Sequence, residues 1–209
     1  SAQTGKGQAL SKLTSSDNSL QTEYYKKALV AFEEAIRLDP MNVLAYEGQA
    51  KTLYQLAPWK NSDRALDVYK QAISLDPEND ALYIGQAGVL RRCSRLDEAL
   101  AAYEKSIDVA AFPDKEAYTG KADILHSLGR YEEALSVYDI IIKEFTDSDA
   151  YREKGNALHR LQRYEEALEA YEQAIAFSSK DAYLYVLKGN LLNQLDQDLE
   201  ALKAYEQAI

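Results

Sequence analysis

Apolar residues recur along this chain at the spacing of a helix rather than a strand. Between Arg163 and Ile175 the run RYEEALEAYEQAI puts Ala167, Leu168, Tyr171, Ala174 and Ile175 at i, i+1, i+4, i+7 and i+8. Glu165, Glu166, Glu169 and Glu172 fill the opposite side, so an amphipathic helix with a solvated acidic face is predicted. The pattern returns as YYKKALVAFEEAI from Tyr24, DRALDVYKQAI from Asp63 and RLDEALAAYEKSI from Arg95. It returns again as GRYEEALSVYDIII from Gly129 and DLEALKAYEQAI from Asp198. The Ala that opens each stripe stands at 28, 65, 99, 134, 167 and 201, giving steps of 37, 34, 35, 33 and 34. Phe32, Tyr69, Tyr103, Tyr138, Tyr171 and Tyr205 follow four positions later in each copy. A fixed period of about 34 residues marks a helical array.

Each of these helices (helix B) is preceded by another amphipathic stretch (helix A). The A stretches are NVLAYEGQAKTLYQL, ALYIGQAGVLRRC, EAYTGKADILHSL, DAYREKGNALHRL and DAYLYVLKGNLLNQL. The first copy conforms least: Ser1 to Leu13 predicts a helix with Ala9, Leu10 and Leu13 as its apolar side. TSSDNSLQTE, residues 14–23, reads as an inserted polar loop before a helix that begins near Tyr24. Residues 57–62 read as a lengthened turn in the second copy. Pro40 and Pro77 end the first two B helices, because proline cannot continue the hydrogen-bond ladder. The repeat units then run over residues 1–42, 43–79, 80–114, 115–147, 148–181 and 182–209. An all-α fold of antiparallel helix pairs is predicted.

The order aromatic, small, apolar in helix A, followed by Ala, aromatic and Pro in or after helix B, resembles the tetratricopeptide repeat. In the fifth copy these marks are Tyr151, Gly155, Leu158, Ala167, Tyr171 and Ala174. Departures lie at the ends of the pattern. The closing Pro appears in the first two copies only, the first helix A lacks its aromatic, and Asp198 replaces the Tyr131 and Tyr164 type of residue. The resemblance implies one array over residues 1–209, wound as a right-handed α-α superhelix; the sixth helix B, with no polar capping helix after it, reads as the edge of a piece of a longer protein. It also implies a scaffold that holds a peptide or partner protein in the concave groove lined by its A helices, without catalysis. The alternative is a regulatory or substrate-docking arm of a larger enzyme, such as a signalling kinase or glycosyltransferase. A third reading is a structural spacer.

Composition narrows the classes of function. The 209 residues carry 34 acidic and 24 basic side chains, a net charge of −10, which argues against a nucleic-acid partner. The single Cys93 excludes an internal disulfide framework and a multi-cysteine metal site, and fits a reducing, cytoplasmic setting. No apolar run reaches the length of a membrane span and no signal-peptide core is present. Neither His126 nor His159 belongs to an H-E-x-x-H pattern, and the glycines form no phosphate-binding motif. No metal, cofactor or enzymatic activity is therefore expected.

By repeat phase the groove is lined by helix A positions outside the stacking stripe. Arg91, Arg92, Arg152 and Arg160, with His126 and His159, gather there in an otherwise acidic chain. Asn156 and Asn190 occupy one site in consecutive copies, and Asn193 lies a turn beyond. Arginine forks suit carboxylates, and an Asn amide can clamp a backbone through donor and acceptor together. This predicts an extended acidic peptide along the third to sixth copies; a solvated wall balancing the helix B acids is the competing reading. The subtype that grips chaperone C-terminal carboxylates is not matched, because Leu187 stands where its second Asn belongs. Gly48, Gly85 and Gly120 recur two residues after a Tyr, which predicts either close helix packing or close approach of a ligand. Leu202, Tyr205 and Ile209 predict an apolar strip on the last helix, open to self-association.

Overall fold

The computed structural model describes residues 1–15 and 17–209. Among the described residues the chain forms twelve α-helices and no strand. They are α1 (Ala2–Lys12), α2 (Asn18–Leu38), α3 (Val43–Leu56), α4 (Pro58–Leu75), α5 (Asp80–Arg92) and α6 (Leu96–Val109). There follow α7 (Lys115–Ser127), α8 (Tyr131–Phe145), α9 (Ser148–Arg160), α10 (Tyr164–Phe177), α11 (Ala182–Gln194) and α12 (Asp198–Gln207). Odd-numbered elements are the predicted A helices and even-numbered ones the B helices. The chain packs as two compact units, residues 1–117 and 118–209.

The turn from helix A to helix B is made the same way four times. Ser94, Gly129, Gln162 and Asp196 take left-handed backbone angles, with φ of 59°, 72°, 60° and 58°. The next residue's N–H then reaches back to the helix A carbonyl five positions earlier. These bonds run from Arg95 to Leu90, Arg130 to Leu125, Arg163 to Leu158 and Gln197 to Leu192, at 2.9–3.0 Å. This closure satisfies carbonyls that the helix end would otherwise leave orphaned. At three of these turns the same residue forks onto the Glu three positions on. Arg95 pairs with Glu98, Arg130 with Glu133 and Arg163 with Glu166, at 2.6–2.7 Å. The arginine holds each of these carboxylates below the ordinary glutamate range.

In the core, the helix B aromatic fills a space left by a glycine of helix A. Phe32 is fully buried between Gly7 of α1 and Gly48 of α3, with Leu10, Ile36 and Ala45 around it. A Cβ on Gly48 would overlap the Phe32 ring, and one on Gly85 would stand 2.5 Å from the Tyr69 hydroxyl. Gly155 and Gly189 receive the rings of Tyr171 and Tyr205 in the second unit. Gly48 and Gly85 therefore serve helix packing, and the ligand-approach alternative falls away at these two positions because an aromatic ring already occupies the space.

Three local expectations are corrected. The insertion at 14–23 is not a ten-residue loop: from Asn18 onward it extends α2, which is 21 residues long. Asp17 starts that helix by accepting the N–H groups of Ser19 and Leu20. Gln21 ties the turn by donating to the Leu13 carbonyl and accepting from the Ser15 N–H. Residues 58–62 are likewise the first turn and more of α4, with Pro58 at its opening position. The buried Asn61 donates from Nδ2 to the Leu53 carbonyl at 3.1 Å, satisfying an end of α3. In α1 the packed side is Thr4, Gly7 and Leu10, while Ala9 and Leu13 are exposed, because Phe32 needs the room that Gly7 leaves.

Candidate partner-binding groove

In the second unit, α7, α9 and α11 present their unstacked faces around a cavity of ≈ 380 Å³. Five of the nine residues singled out from the sequence line it: His126, Asn156, His159, Arg160 and Asn190. Helical phase explains the convergence, since Asn156, His159 and Arg160 lie three and four residues apart on one face of α9. Leu187 and Leu191 give the cavity apolar walls, and Tyr171 and Tyr183 complete it.

Hydrogen bonds fix which way its polar groups point. The Tyr171 hydroxyl donates to Asn156 Oδ1 at 2.9 Å, and Tyr205 donates to Asn190 Oδ1 at 2.8 Å. Each Asn oxygen thereby accepts one bond and keeps a second lone pair, and the Nδ2 groups offer donors. One Asn156 N–H goes to Glu153 at 3.0 Å, whereas among the described residues no partner engages Asn190 Nδ2. Burial, with smaller contributions from Tyr183 and Glu153, pushes the Tyr171 hydroxyl up to about 12, so it remains a proton donor at neutral pH.

The other candidates sit differently. Arg152 is outside the cavity and bound to carboxylates of its own helix, at 2.7 Å to Asp149 and 3.0 Å to Glu153. Asn193 is exposed and does not line it either. His159 Nε2 meets Gln194 Oε1 at 2.9 Å. Arg91 and Arg92 line a second cavity, of ≈ 400 Å³, in the first unit. There Arg92 stacks over the Tyr54 ring at 5.7 Å, and Asp114 and Glu116 add acids to the wall. The residues that the sequence reading passed over are Tyr171 and Tyr205 as hydrogen-bond donors. Their fixed place in the apolar stripe marked them as core, and only the spacing of 15 positions from Asn156 and Asn190 hinted at the pairing.

Repeated helix pairs, glycine sockets for Phe32, Tyr69, Tyr171 and Tyr205, and a groove on the A side define a helical-repeat protein. The chain belongs to the tetratricopeptide repeat family. The family's "Tetratricopeptide repeat" profile matches residues 20–80, 60–114 and 90–149, and a "TPR repeat" profile matches residues 155–196. No curated protein matches the chain. Solved structures similar in fold include YrrB, described as a TPR protein with an unusual peptide-binding site. It is 21% identical with a TM-score of 0.70, over 86% of this chain and 91% of that one. PilW, a type IV pilus biogenesis factor, is 19% identical with a TM-score of 0.72, over 99% and 91%. MamA of Desulfovibrio magneticus RS-1 is 16% identical with a TM-score of 0.70, over 79% and 92%. Among the described residues no helix is long and apolar enough to cross a membrane.

Proposed function

We propose that this protein is a protein-interaction scaffold that takes an extended segment of a partner along the A-helix groove of its second unit. The observation that carries the reading is the cavity at α7, α9 and α11, where five predicted residues converge without an acidic side chain among the lining residues. Two neighbouring features support it. The Asn156 and Asn190 amides recur one repeat apart, each with the equivalent tyrosine of its own copy, so they offer similarly oriented donors to successive acceptors of an extended chain. Leu187 and Leu191 add apolar surface, which lets side chains of the segment contribute burial as well as hydrogen bonds. YrrB shares the fold and is described as having a peptide-binding site, which makes a peptide ligand the natural first test.

That test is to pan the purified chain against a displayed random peptide library. Enriched peptides are then measured on the protein carrying Asn156→Ala, Arg160→Ala and Asn190→Ala together. Loss of three polar contacts should weaken binding by about tenfold or more, at unchanged helix content by circular dichroism. Failure to enrich any peptide, or affinity indifferent to the triple change, would overturn the groove reading.

A further inference from the structure

The charge and hydrogen-bond state of the cavity in the second unit narrows what it accepts. The chain carries ten more acids than bases, yet none of the nine lining residues is acidic. Arg160 makes no ion pair among the described residues, whereas Arg37, Arg95, Arg130, Arg152 and Arg163 are each paired with a carboxylate. His126 borders the same cavity, and its Nε2 is buried without a hydrogen-bond partner. A buried polar atom left unpaired carries a desolvation cost that a ligand can recover. Asn190 Nδ2 has no hydrogen-bond partner among the described residues, while its oxygen accepts from Tyr205. Glu153, the acid hydrogen-bonded to Asn156, is also bound by Arg152, which offsets its charge.

We propose that this cavity is a carboxylate site that receives one glutamate side chain of the bound segment. Arg160 supplies the charge, His126 Nε2–H and Asn190 Nδ2–H donate to the carboxylate oxygens, and Leu187 and Leu191 pack against the methylenes. A carboxylate fits this set better than a phosphate dianion. One unpaired arginine balances a single negative charge, and the surrounding chain is net acidic. The proposal rests on the groove reading but is tested apart from it.

The experiment is a side-chain amide and imidazole NMR titration of the whole chain with N-acetyl-glutamate N-methylamide, its glutamine counterpart and inorganic phosphate. The glutamate derivative should move the Asn190 amide and His126 ring signals and bind at least about tenfold more tightly than the glutamine one. Arg160→Ala should abolish that difference and Arg160→Lys restore part of it, while Asn193→Ala, outside the cavity, should change nothing. Backbone spectra of the variants confirm that each one folds. Equal binding of glutamate and glutamine derivatives, shifts confined to other residues, no binding, or tighter binding of phosphate would each overturn the proposal. Peptides that bind the groove without this preference leave the scaffold reading standing. A glutamate preference in a chain that enriches no peptide leaves the carboxylate site standing alone.

Discussion

At the scale of single residues, space decides which glycines matter. Gly155 lies where a Cβ would come within 2.5 Å of the Tyr171 ring, and that ring is buried and tied to Asn156. Gly155→Ala is expected to lower stability by about 1–3 kcal/mol through overpacking, and to disturb the Asn156 amide as well. Gly88 is a control in the other direction, because nothing stands within 4 Å of its would-be Cβ. Gly88→Ala should raise stability by up to about 1 kcal/mol, the ordinary helix-interior gain. Urea denaturation of the two variants checks both signs, and an unaltered midpoint for Gly155→Ala would contradict the socket description. The sequence showed both glycines equally plainly. It did not show which one faces a ring, since that depends on a neighbouring helix.

At the scale of the element, the repeating unit is the helix pair with its left-handed hinge. Ser94, Gly129, Gln162 and Asp196 all adopt this hinge, although it costs a residue with a Cβ roughly 1–2 kcal/mol. Gln162→Gly should therefore raise the unfolding free energy by up to about 1 kcal/mol, the gain being reduced by the greater freedom of glycine in the unfolded chain. Chemical denaturation of the variant reads it directly, and a destabilised protein would show that Gln162 contributes something besides backbone shape. The two turn regions misread from sequence share one cause. Residues 18–23 and 58–62 are polar or contain Pro, the usual signature of loops, but Asp17 and Pro58 are strong helix starters. The extra residues lengthened a helix at its N-terminus.

For the molecule as a whole, the buried tyrosines couple stability to alkaline pH. Burial raises the ionisation of Tyr69 and Tyr138 well above the ordinary tyrosine value and that of Tyr171 to about 12. The unfolded chain ionises its tyrosines near pH 10, so above that point it has released protons that the folded chain still holds. Stability is then fully present below about pH 10 and falls as pH rises toward 12. Tyrosinate absorbance should show these residues titrating late and together with loss of helix, and a stability independent of pH above 10 would contradict the sign. The sequence by itself determined the all-α class, the period of the array and the A and B roles. Those follow from local periodicity, which each segment carries within its own turns. It also placed Asn156, His159 and Arg160 on one helix face, for the same reason. The pairing of Arg152 with Asp149 and Glu153 is local to α9; only the tertiary structure decided that Arg160 meets no carboxylate among the described residues. Only the packed fold brought the Tyr171 and Tyr205 hydroxyls to the Asn acceptors and left His126 Nε2 unpaired beside the cavity. Those outcomes depend on distances between separate helices, which no single stretch of sequence encodes.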